Sequence, residues 1–152
     1  MNLKTRIEEL KLILPSAPPP GGVYKPVIVS GNMLYVSGQG PRQLDGSQIT
    51  GKLGAELDIE EGYAAARQVG LTMLATIKEH YDLSKVKRLV KTLGMVNSTL
   101  DFDQQPKVIN GFSDLMVELL GDDLGKGARS AVGMILPNNI AVEIEAIFEI
   151  YE

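Results

Sequence analysis

Arg129, in the run ARSAVGMIL, and Glu143 and Glu145, in VEIEAIFEI, are the charged residues whose spacing could bring them together for chemistry. Both runs alternate as β-strands do, and Pro137-Asn138-Asn139 between them is a turn signal. A hairpin that places Leu136 opposite Ile140 sets odd residues against odd. Arg129 then shares a sheet face with both glutamates, beside Ala131 and Gly133, which leave space rather than fill it. A guanidinium binds a carboxylate through two parallel hydrogen bonds, so this group could hold a small anionic ligand. A solvated face of charged residues fits the same pattern, and on the hairpin alone it is the simpler reading. The even faces (Ser130, Val132, Met134 and Leu136; Val142, Ile144, Ala146, Phe148 and Ile150) are apolar and want a core.

Other chemistries find little support. The chain has no cysteine, so there is no thiolate nucleophile, disulfide framework or zinc-thiolate site. Its single histidine, His80, falls near the end of an expected helix, where it complements the helix C-terminus. A net charge of −4 supplies no positive field for nucleic acid or an anionic membrane. The basic run Lys85-Val86-Lys87-Arg88, with Lys91, reads as a solvated strand edge. Gly38-Gln39-Gly40 lacks the following helix that a phosphate loop needs. No apolar run approaches the ~20 residues of a membrane span, and the charged start MNLKTRIEELKL has no signal-peptide core. A soluble cytoplasmic protein is expected.

The elements that must position these residues follow from periodicity. At 152 residues, with 44% hydrophobic and 22% charged, the composition is that of one globular domain spanning 1–152. Leu3 to Ile13 has helical spacing, ended by Pro15, and a proline-rich extended segment follows to about residue 22. Val23 to Ser30 and Met33 to Ser37 are β-rich about the hairpin signal Gly31-Asn32. Gly38 to Glu56 is loop. Asp58 and Glu61 form a capping box that opens a long helix, Ile59 to Tyr81. Val86 to Val96 reads as a strand, and Asp101 to Leu120 as a second long helix with Pro106 in its first turn and Gly121 just past its end. The sum is an α+β two-layer domain: a mixed sheet with two long helices on one face and a short N-terminal helix. The other sheet face mixes charges with Ala131, Gly133, Ile135 and Ile147, a poor solvent surface that a second copy of the chain would cover.

Three stretches taken together add a resemblance. Gly22-Val23-Tyr24, then Gly31-Asn32-Met33-Leu34-Tyr35-Val36-Ser37-Gly38-Gln39, and Ala128-Arg129-Ser130-Ala131-Val132 with Val142-Glu143-Ile144-Glu145-Ala146, resemble the YjgF/YER057c/UK114 (Rid) family of enamine/imine deaminases. The resemblance runs from about Ala17 to Ile150 and is nearest to a longer branch with an added N-terminal helix. It implies a chorismate-mutase-like fold and a homotrimer with sheets inward, helices outward and sites in the clefts between subunits. It implies hydrolysis of reactive 2-imino or enamino acids to 2-keto acids and ammonia, with no metal or organic cofactor. Carried over by position, Arg129 matches the clamp on the substrate carboxylate and Glu143 the carboxylate that places the water. Tyr24, Ser37 and Asn110 match pocket-lining positions. Glu145, two residues from Glu143 on the same face, could take its place. The chain departs from the family pattern at Gly127, Ala131 and Gly133, changes that keep the clamp and reshape the pocket.

Three functions therefore compete. Hydrolytic deamination needs only orientation of an already electrophilic carbon and a water, and orientation alone is worth several kcal/mol. A non-catalytic module could instead hold a small carboxylate-bearing metabolite. Ribonuclease or translation-inhibitor activity, a label some relatives carry, is disfavoured by the acidic charge and the scarcity of aromatics to stack bases.

Overall fold

The computed structural model describes residues 2–152; Met1, the first residue of the expected N-terminal segment, lies outside them. Three α-helices, α1 (Leu3–Glu9), α2 (Ile59–His80) and α3 (Gln105–Gly125), accompany five strands. These are β1 (Val27–Ser30), β2 (Met33–Gln39), β3 (Val86–Asn97), β4 (Ala128–Met134) and β5 (Val142–Ile150), in the sheet order β1-β2-β5-β3-β4. Only β3 and β4 run parallel; the other neighbours are antiparallel. The fold is α+β and chorismate-mutase-like, as expected. No described helix is long and apolar enough to cross a membrane.

Local chemistry accounts for the helix boundaries. The Asp58 carboxylate accepts from the Glu61 amide at 2.8 Å while the Glu61 carboxylate accepts from the Asp58 amide at 3.1 Å, the reciprocal capping box that starts α2. In α3, Pro106 sits in the first turn, where a missing N–H costs nothing. At Gly121 the backbone turns to φ 89°, which ends the regular helix after Leu120; one more turn continues to Gly125. α2 and α3 cross closely because Gly111 has no side chain: a Cβ there would run into the Tyr63 carbonyl. Their buried faces, with Val69, Met73 and Leu74 from α2 and Phe112 and Leu115 from α3, meet Ile144 and Phe148 of the sheet. The short α1 buries Leu3 and Ile7 and anchors to α3 through Arg6 Nε, which donates to the Glu118 carbonyl at 3.2 Å.

The closing hairpin does not form. β4 pairs with β3, Thr92 lying opposite Arg129, and β5 lies between β2 and β3. α3 is thus the crossover of a β-α-β unit, the connection a parallel pair requires. The Pro137–Asn139 turn is present, with Asn138 and Asn139 both at φ 56°, but it carries the chain from the sheet edge past β3 to the centre.

This topology reverses the expected face of Arg129. Thr92 stands opposite both Arg129 and Ala146, so Arg129 lies on the helix-covered side, away from Glu143 and Glu145. Ala131 and Gly133 go with it, because α3 packs over this edge and small residues let it close; a Cβ on Gly133 would come within 2.8 Å of Gln105 Nε2. Ser130, Val132 and Met134, expected in the core, instead occupy the open face, with Val132 39% and Met134 40% exposed. The even face of β5 is buried as expected, and Leu136 is buried beyond the end of β4.

Candidate functional site

Among the residues singled out for chemistry, Tyr24, Ser37, Glu143 and Glu145 line one cleft of about 600 Å³. Its floor is a defect in the sheet. Pairing of β2 with β5 is regular to Val36↔Ala146 and resumes at Gln39↔Ile144, so Ser37 and Gly38 bulge out of the ladder. A side chain at position 38 would collide with the Glu143 carboxylate, so glycine there makes the space that Glu143 fills. Buried hydrogen bonds hold the bulge: Thr76 of α2 donates its hydroxyl to Gln39 Oε1 at 2.8 Å, and Gln39 Nε2 donates to the Ser37 carbonyl at 2.9 Å. The Ser37 hydroxyl donates to the Lys25 carbonyl at 2.7 Å, and its amide to the Pro26 carbonyl at 2.9 Å. Tyr24 is tied back too, its hydroxyl accepting from the Gly21 amide at 3.0 Å. The stiff Pro18-Pro19-Pro20 segment forms the opposite wall.

Glu143 is the deeper carboxylate and Glu145 the more exposed one, two residues further along β5. Burial pushes the Glu143 carboxyl above the usual carboxylate range, and the nearby charge of Glu145 adds to this. Neither glutamate forms an ion pair among the described residues. No lysine, arginine or histidine lines the cleft.

Arg129 and Asn110 lie elsewhere. Arg129 Nη1 donates to the Ser113 hydroxyl at 3.0 Å and Nη2 to the Pro106 carbonyl at 3.3 Å, both on α3. Residues 106, 110 and 113 fall on one helix face, so Asn110 sits in the stretch of α3 that Arg129 spans. Both acceptors are neutral, and no carboxylate among the described residues lies within ion-pair distance of this guanidinium. Glu143 on β5 lies across from Val132 on β4, two strand spacings or about 10 Å away; Arg129 is three residues, about a further 10 Å, along that strand, and the two side chains leave opposite faces. Within one chain they cannot grip the same small molecule. The sequence pattern thus yields two groups: Tyr24, Ser37, Glu143 and Glu145 in the cleft, and Arg129 with Asn110 on the far edge.

Sequence reasoning missed several members. Ser113 completes the arginine's setting and was visible only as the residue one turn beyond Asn110. Gln48 and Asn138 line the cleft from loops whose course no periodicity predicts. Gln48 Oε1 is buried without a hydrogen-bond partner among the described residues. The asparagine at 97 holds these loops: its Nδ2 donates to the Gly51 carbonyl at 3.1 Å and to Asn139 Oδ1 at 2.9 Å.

A family model described as "YjgF/chorismate mutase-like, putative endoribonuclease" matches residues 4–150. Protein TCP17 of Trypanosoma cruzi is 41% identical over 146 residues, covering 95% of this chain and 91% of that protein. The crystal structure of an Agrobacterium tumefaciens protein of unknown function superposes with a TM-score of 0.85 at 41% identity, covering 98% of this chain and 94% of the other. A Shewanella oneidensis structure, named for the same endoribonuclease description, gives 0.90 at 30% identity over 98% of this chain and 99% of the other.

Proposed function

Because the chain belongs to the YjgF/chorismate mutase-like family, we propose that it hydrolyses 2-imino or enamino acids to 2-keto acids and ammonia, at sites two copies build together in a homotrimer. The observation that carries this reading is the split of the charged groups. Among the described residues the cleft offers carboxylates and no cation, while the Arg129 guanidinium, which an acid group could use, is held on the far edge by neutral acceptors. An imino acid needs both: a cation for its carboxylate and a proton acceptor for the attacking water. A neighbouring copy that brings Arg129, with Asn110 beside it, over the cleft supplies the first.

In such a site Glu143 takes a proton from water as the oxygen bonds to the imine carbon. That proton passes to nitrogen, giving a carbinolamine; Glu143 then moves the carbinol O–H proton to nitrogen as the C=O forms and the C–N bond breaks, so one imine and one water give one 2-keto acid and one ammonia. A carboxyl raised by burial suits both halves of this transfer. Tyr24 and Ser37, each fixed by a backbone contact, wall the reacting end. The ribonuclease reading fares worse. Two glutamates in the cleft repel a phosphate backbone, and in the basic run Lys87 and Arg88 are already paired with Glu149 and Asp123.

The test supplies imines made in situ by an amino-acid oxidase and follows keto-acid release. Acceleration over buffer is expected. Arg129→Ala should lower kcat/KM roughly ten- to a hundredfold, the worth of a charged hydrogen-bonded contact. Mixing Arg129→Ala with Glu143→Gln subunits should restore activity neither variant has alone, since some cleft then receives both groups. Saturable stabilisation by 2-keto acids without turnover would replace the enzyme with a binding module. Failure of the mixture to recover activity would refute the shared site.

A further inference from the structure

The cleft is far larger than a three-carbon imino acid requires. At about 600 Å³ it lies within the roughly 300–1,000 Å³ of sites that enclose drug-sized ligands. The charged side chains that line it are of one sign. The donors of Ser37, Gln39 and Thr76 belong to the bulge and its supports, each tied to a backbone atom or to one another. The charges that remain are the two carboxylates, and the buried Oε1 of Gln48 has no hydrogen-bond partner among the described residues. Glu143 is committed to the water by the reading above. Glu145 is not; it stands about 7 Å along the strand from Glu143, the repeat of two residues, toward the mouth. Leu93, its neighbour on β3, brings no charge to meet it.

We propose that Glu145 is a specificity-determining residue that selects imino acids with a cationic side chain, a guanidinium or ammonium carried three or four carbons from the imine, with Gln48 Oε1 accepting a further N–H. This rests on the imine-hydrolysis reading and names the substrate class of that site. A neighbour's guanidinium holds the acid end, Glu143 the water and Glu145 the distal charge, so the substrate is fixed at three points along its length. A cationic side chain that reaches toward the mouth of the cleft finds an opposite charge there in Glu145 and no charge of its own sign among the lining residues described. An acidic side chain would meet the same carboxylate as a repulsion, which rejects it.

The experiment compares kcat/KM for the imines of arginine, norleucine and glutamate in the whole protein. The arginine imine should be favoured over the norleucine imine about tenfold or more, and the glutamate imine should be poorest. In Glu145→Gln the arginine-to-norleucine ratio should fall toward one, and in Glu145→Lys the order of arginine and glutamate should reverse. A structural role for Glu145 would lower all three rates together and leave the ratios alone. A parent preference for norleucine, or a ratio unchanged in Glu145→Gln, overturns the proposal while leaving imine hydrolysis standing. If no imine is accelerated, that underlying reading fails instead. The same ratios are then read from thermal stabilisation by the corresponding 2-keto acids, where equal stabilisation by the guanidino and aliphatic acids overturns the assignment of Glu145.

Discussion

Glu143 carries the clearest physical signature of any residue in the cleft: a carboxyl kept half-buried, next to a like charge and over a glycine that exists to make room for it. A carboxyl raised in the folded chain holds its proton more tightly there than in the unfolded chain. It is neutral in both states well below its ordinary value of about 4.3, and becomes a penalty as pH climbs from there through the raised value. Glu143→Gln removes that penalty. Its melting temperature should exceed the parent's at pH 7, and the two should converge near about pH 4. The comparison is cleanest in an Arg129→Ala background, where no neighbouring guanidinium offsets the charge; a difference that instead widens as pH falls would contradict the burial of Glu143. Gly38→Ala tests the same spot from below. The collision is with the flexible end of Glu143, so the side chain should swing away, with kcat reduced roughly tenfold or more and the fold little changed by circular dichroism.

At the scale of elements, the helices and the first hairpin, about Gly31-Asn32, were legible, and the partners of the last two strands were not. The capping box at Asp58 fixed where α2 begins, and glycine at 121 where the regular part of α3 ends, because both are local chemistry. Strand pairing is decided across the chain. Pro137-Asn138-Asn139 makes the turn it advertises, yet whether the flanking strands pair depends on β3, forty residues upstream, inserting between them. That misreading moved Arg129 to the wrong face, although its site partners Tyr24, Ser37 and Glu143 do meet, because the bulge after Val36 brings them together. Between α2 and α3 the contact that admits no adjustment is at Gly111, where backbone faces backbone. Gly111→Ala must push α3 away from α2, and the loss should be about 1–3 kcal/mol, read as a lower urea midpoint at unchanged slope. A midpoint equal to the parent's would mean the helices do not approach this closely.

For the molecule as a whole, the open sheet face decides what the chain can be in water. Tyr35 stands beside Ile147 across β2 and β5, and Met95 beside Val132 across β3 and β4 with Leu93 next to it, while Lys91, Glu143 and Glu145 lie between these two apolar groups; Tyr35 is 41% and Val132 39% exposed. Large apolar side chains grouped on an open sheet face in this way favour association. The helix side has no such need, since α2 and α3 already cover it. On the shared-site proposal, packing of three copies sheet to sheet would cover these residues and set each chain's β4 edge, with Arg129, toward another chain's cleft, and activity would then depend on assembly. Val132 lies at the margin of this face, opposite Met95, where a carboxylate would be buried without a partner at a cost of several kcal/mol. Val132→Glu should therefore convert a trimer to monomers by light scattering and make the melting temperature fall on dilution. Keto-acid release should drop in proportion to the trimer lost, while the far-ultraviolet spectrum stays that of the folded chain. Full activity in a monomeric Val132→Glu protein would refute the dependence of the site on a neighbour.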